Sequence, residues 1–173
     1  MYASPEQRDA DIETSTQQSP ADLRHDVTAT AAVLDQAFAG LTEAAWDARV
    51  RVRQGQPVSA RLLPCLRVRE VWLRAVDLDA GADLAAAPAA LLDELVAHIT
   101  TWLSGEPACP QVELRVADRD ATWRLGASSG TDERPAVAAV EGTAAELVLW
   151  LAGRTDGSAV RAAGPPPPLP RWL

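Results

Sequence analysis

The candidate chemistry of this 173-residue chain centres on two carboxylates carried by the inner face of one helix. Leu62, Leu63, Leu66 and Leu73 recur at helical spacing and mark a buried stripe. Glu70 lies four residues after Leu66 and Asp77 seven after Glu70, so both fall on that stripe. A carboxylate facing an apolar interior is costly to desolvate, so each requires a partner, either a bound cation or a basic side chain. The remaining reactive groups are scattered. His25 and His98 sit in unrelated segments and are read as structural. Cys65 and Cys109 have no CxxC pairing or metal-ligand spacing and read as two free thiols of a reducing compartment. All 16 basic residues are arginine, which excludes any lysine-based mechanism.

The elements that must position these groups can be read in order. Residues 1–18 are polar and predict an exposed loop with one turn of helix after Pro5. Ser19-Pro20 is a helix start, and Leu23, Val27, Leu34, Phe38 and Leu41 predict an amphipathic helix over 20–39 that ends near Gly40. Thr42 caps a short turn carrying Trp46 to the core. Residues 48–58 alternate Arg and Val around Gln54-Gly55 and predict a short hairpin. Ser59 caps the helix of Glu70 and Asp77, which runs to about Asp79. A loop of small residues, 80–87, predicts a domain boundary. Pro88 then starts a helix with Leu91, Leu92, Leu95, Val96, Ile99 and Trp102 as its apolar face. Strands are expected at 112–117, 121–125 and 136–140, and a helix capped by Thr143 at 144–152, stopped by Gly153. The tail from Gly164, with five prolines before Trp172, is extended. The expected class is α+β: helices over 1–80, then a small mixed domain over 84–173.

The net charge of -8 argues against nucleic acid or an anionic membrane as partner. No stretch reaches the length of a membrane span and the first residues lack a signal pattern, so the expected compartment is the cytoplasm.

Three stretches carry a resemblance: MYASPEQRDADI (1–12), REVWLRAVDL (69–78) and LPRWL (169–173). Together, in this order, they resemble the mycothiol-dependent maleylpyruvate isomerases, whose fold is a DinB-like metal-binding helical bundle followed by a sterol-carrier-like α+β domain. The resemblance implies thiol-assisted cis–trans isomerisation of maleylpyruvate to fumarylpyruvate, or a related thiol transfer. It implies zinc and mycothiol as cofactors, and a small-molecule thiol and carboxylate substrate as partners. In that family a Glu-x-x-x-His pair supplies two metal ligands, and i,i+4 spacing stacks them on one helix face. Here the pair reads Glu70 and Arg74. Glu70 thus matches a metal ligand, Arg74 stands where the imidazole would be, and Arg8 and Arg154 match positions that would clamp substrate carboxylates.

These matches leave two readings of Glu70, as metal ligand or as the partner of Arg74, whose guanidinium puts a fixed charge where the cation would sit. The family's first two bundle helices, with a Gly-Trp…His run, would precede Met1, so the chain is expected to be N-terminally truncated and impaired. Its open bundle faces are expected to favour a homo-oligomer. The alternative is a metal-free binding or dimerisation module without catalysis.

Overall fold

The computed structural model describes residues 4–52, 57–126 and 138–172, and the chain divides into two compact units, residues 1–62 and 63–173. The expected Gln54-Gly55 turn and the first two residues of the segment 136–140 lie outside the described residues.

The first unit opens with α1 (Pro5–Ser15), where a loop with a single turn was expected. The local reason is a start signal of the same kind as the next one: Ser4 caps the helix by accepting from the Gln7 amide at 3.2 Å, and Pro5 occupies the first turn. The segment has no apolar stripe, so periodicity could not reveal it. In α2 (Pro20–Ala39) the Ser19 hydroxyl accepts from the Asp22 amide and donates to its carboxylate at 2.7 Å. No residue of α2 is buried. Thr42 caps α3 (Glu43–Trp46), whose Trp46 ring meets Phe38 at 5.6 Å between centroids. The predicted hairpin is present as β1 (Arg49–Arg51) and β2 (Pro57–Ser59), antiparallel with Val50 opposite Val58. Arg61, in the 3-10 turn after β2, reaches back to Glu43 at 2.7 Å and Asp47 at 2.9 Å.

The second unit begins with α4 (Leu63–Asp77), where Leu73 is fully buried and Leu63 and Leu66 half-buried. A 3-10 turn capped by Asp83 leads to α5 (Ala89–Ser104). The buried face of α5 is Leu91, Leu92, Leu95, Val96, Ile99, Thr100 and Leu103. Trp102, expected on that face, is 38% exposed. At 100° per residue the position four after Ile99 continues the stripe, and Leu103 occupies it.

Next come β3 (Val112–Val116), β4 (Ala121–Leu125), β5 (Ala138–Gly142), α6 (Ala144–Leu151) and β6 (Arg161–Ala162). The sheet order is β4-β3-β5-β6, with β3 and β5 parallel and the outer pairs antiparallel. Val112, Leu114 and Val116 alternate inward on β3 and pack with Val140, α5 and α6 in one core. Glu113 and Arg115 point the other way and pair at 2.7 Å. Helices joined to a mixed sheet make the chain α+β. No helix among the described residues is long and apolar enough to cross a membrane.

Candidate functional site

The end of α6 aims one arginine at α4. Thr143 and Glu146 form a reciprocal capping box at the helix start. At the other end Gly153 takes φ +70, its amide donates to the Trp150 carbonyl at 3.0 Å, and the Arg154 amide donates to the Leu149 carbonyl at 2.8 Å. This is a Schellman closure, which needs a left-handed residue that glycine supplies at little cost. The turn directs Arg154 onto Asp77 at the last turn of α4. Nε donates to Oδ1 and Nη2 to Oδ2, both at 3.1 Å, while Nη1 donates to the Ala152 carbonyl at 2.8 Å. The Arg154 side chain is 16% exposed and that of Asp77 28%. The Arg154 hydrogen bonds outweigh desolvation and hold the Asp77 carboxyl below its ordinary pKa, with Arg74 contributing.

Arg74 lies beside this pair and bridges the two stripe carboxylates. Its Nη1 donates to Asp77 at 2.9 Å, and its Nη2 stands 3.8 Å from Glu70. The i,i+4 contact to Glu70 expected from the sequence is thus the longer one, and the i,i+3 contact to Asp77 is the hydrogen bond. Glu70 is closer to Arg69, at 3.0 Å. The structure therefore brings Glu70, Arg74 and Arg154 together through Asp77. Arg8 belongs to the first unit, on α1, where it pairs with Asp9 at 3.0 Å.

A cavity of about 820 Å³ opens at this cluster. Asp77 and Arg154 face it beside Trp150, and the tail from Pro166 to Trp172 forms another wall. The charged residues that line the cavity balance, Arg154 and Arg171 against Asp77 and Asp156, and Arg74 adds a further cation beside Asp77. Arginine carries five N–H donors, and Arg154 keeps donors beyond those given to Asp77 and Ala152. The arrangement suits a carboxylate or another compact anion.

It does not suit zinc. Two guanidinium groups already neutralise Glu70, and a third cation there would be repelled. Among the described residues no group of three or more His, Cys, Asp or Glu side chains is placed to hold a metal ion.

Sequence reasoning gave no role to a second cluster on the other side of Glu70. Arg69 Nη1 lies 2.7 Å from His98 Nε2, and the Arg69 guanidinium sits over the Trp172 ring at 5.4 Å from its centroid. The available signal was that Arg69 and Trp172 belong to two of the three matched stretches.

Similarity to known proteins extends over nearly all of the chain. Residues 1–79 match the family model of the mycothiol maleylpyruvate isomerase N-terminal domain, and residues 86–171 match that of the MDMPI C-terminal domain. Two solved structures, a mycothiol-dependent maleylpyruvate isomerase and a histidine-to-alanine mutant of the mycothiol-dependent maleylpyruvate isomerase, each superpose with a TM-score of 0.82 at 33% identity. Each alignment covers 99% of this chain and 69% of the other. No curated protein sequence matches.

Proposed function

The chain belongs to the mycothiol-dependent maleylpyruvate isomerase family, and on that premise we propose that it binds a small thiol and a carboxylate substrate at the Asp77–Arg154 cavity. The observation that carries this reading is the pairing of Arg154 and Arg74 on one carboxylate at the cavity edge. The reaction is the thiol-assisted conversion of maleylpyruvate to fumarylpyruvate, or a related thiol transfer. The thiolate sulfur bonds to one carbon of the cis double bond, and the π electron pair moves into the conjugated carbonyl. The carbon–carbon bond is then single and rotates. Return of the electron pair expels the sulfur and leaves the trans isomer.

This chain's residues serve the carboxylates of that substrate. Arg154 is fixed by Asp77, so its remaining donors meet an anion with little loss of side-chain freedom. Arg74, bonded to the same Asp77 carboxylate, adds a second cation. Asp77 is a poor proton acceptor at neutral pH, since its pKa is lowered, so it orients arginines and moves no proton. With Arg74 in the ligand position the isomerase is impaired. In this reading residues 1–80 belong to the metal-binding bundle and 84–173 form the C-terminal domain. The open apolar stripe of α2 supports association through the bundle faces, which sedimentation tests.

Calorimetry with maleylpyruvate, alone and with mycothiol, is the direct test. Saturable binding that weakens tenfold or more in Arg154→Ala supports the site; no binding to the wild-type chain sinks it.

A second reading is favoured by Arg74 itself. A permanent cation touching Asp77 and lying near Glu70 makes a metal-free binding module, in which ligand is held without chemistry. Binding unchanged by chelator, with no isomer formed, selects this reading.

A further inference from the structure

The last described residue, Trp172, is 4% exposed although it ends a proline-rich segment without helix or strand. Its indole is held from two sides. Arg69 of α4 lies over one ring face at 5.4 Å, a cation–π distance, and His98 of α5 meets it edge-on at 6.3 Å and 76°. Leu169 adds a half-buried anchor against the same core.

The link between Arg69 and His98 sets the protonation state that this arrangement tolerates. A guanidinium has donors only, so the 2.7 Å contact requires a lone pair on His98 Nε2, and the imidazole must be neutral. A proton on Nε2 would set donor against donor and charge against charge at that distance. Arg69 has little to replace the bond: its side chain is 14% exposed, its other terminal nitrogen is committed to Glu70, and its Nε is buried without a partner among the described residues.

We infer that the C-terminal segment is a pH-sensitive latch, closed while His98 is neutral and released when His98 is protonated. Pro166 to Trp172 wall the cavity that holds Asp77 and Arg154, so release opens that cavity. Among the described residues, the charged groups acting on His98 are Arg69 from α4 and Glu94 one turn earlier on α5, with Glu70 reached through Arg69. Trp172 from the tail is uncharged. Desolvation and then Arg69 lower the His98 pKa, and Glu94 opposes them more weakly. A histidine whose folded pKa is lowered favours the closed state above its ordinary value of 6.5. That preference is lost as pH falls below 6.5 toward the folded value.

Proton–nitrogen NMR of the whole chain reads the latch directly. The six tryptophans give six indole cross-peaks, and Trp172→Phe identifies one of them. As pH falls below 6.5, the Trp172 peak is expected to move toward a solvated indole position, with the midpoint of the His98 ring itself. The backbone amide peaks of Leu114 and Val116, in the middle of the sheet, hold their place, which shows that the unit stays folded. In His98→Gln the amide oxygen accepts from Arg69 without titrating, and the Trp172 peak becomes flat with pH. His25→Gln keeps the wild-type transition. A Trp172 peak that stays put while His98 titrates, or one that still moves in His98→Gln, overturns the latch.

Discussion

Asp77 and Arg154, 77 residues apart in the sequence, meet in two parallel hydrogen bonds of 3.1 Å. The pair ties the last turn of α4 to the turn that closes α6. It also fixes the guanidinium that faces the cavity, so one contact serves both the fold and the site.

Asp77→Asn keeps the shape and removes the charge, leaving an amide donor opposed to Arg154. The expected loss is about 2 kcal/mol at neutral pH, the scale of a hydrogen-bonded, partly covered charge. Because the folded pKa of Asp77 is lowered, its contribution is fully present above the ordinary value of 3.8 and is lost as pH falls through the folded value. Urea midpoints of wild type and variant should differ at pH 7 and converge in strong acid. A gap of constant size down to that range would remove the charge from the explanation.

Gly153 and Gly126 share a positive φ, +70 and +85, yet their alanine variants should differ. At Gly153 an added Cβ meets nothing within 4 Å, so the cost is the left-handed backbone alone, about 1 kcal/mol. At Gly126 the same atom would lie 2.6 Å from the Pro110 carbonyl oxygen, a backbone atom that cannot swing away. Thermal unfolding should rank Gly126→Ala clearly below Gly153→Ala. Equal losses would mean that backbone conformation outweighs the clash.

The contrast between these sites shows what the sequence could disclose. Local signals were readable: Ser19-Pro20 and Thr143 mark helix starts, and Gly153 marks the stop that aims Arg154. Glu70 and Asp77 have the cationic partners expected of them, but neither is buried as the stripe predicted: their side chains are 35% and 28% exposed, at the rim of the face that Leu73 buries. Two further readings failed locally. Ser4-Pro5 starts a full helix without an apolar stripe to announce it, and Trp102 lost its place in the core to Leu103 one residue later. The Arg69–His98–Trp172 cluster was hidden for a different reason. Its members come from α4, α5 and the tail, and no periodicity within one element predicts a meeting of three.

Thr100 is a buried polar residue in an apolar core, 5% exposed, and its hydroxyl has no partner among the described residues. Valine has nearly the same shape and nothing to desolvate. Thr100→Val should therefore stabilise the second unit by about 1 kcal/mol, read as a higher denaturation midpoint. A destabilised variant would reveal a hydrogen bond that the hydroxyl makes in solution.

Arg74 decides between an impaired metal enzyme and a metal-free module. Its guanidinium donates to Asp77 and stands 3.8 Å from Glu70, so it repels a divalent cation from the only carboxylate matched to a ligand position. Arg74→His removes that fixed charge and places an imidazole one helical turn from Glu70, the spacing at which both can grip one ion. Zinc affinity, measured by competition with a chromophoric chelator, should rise about tenfold or more. The wild-type chain should bind mycothiol equally with and without chelator if Arg74 has taken over the role of the cation. If zinc affinity does not move in Arg74→His, Arg69 alone is enough to keep Glu70 from a metal, and Arg69→Gln in the same background should then release it.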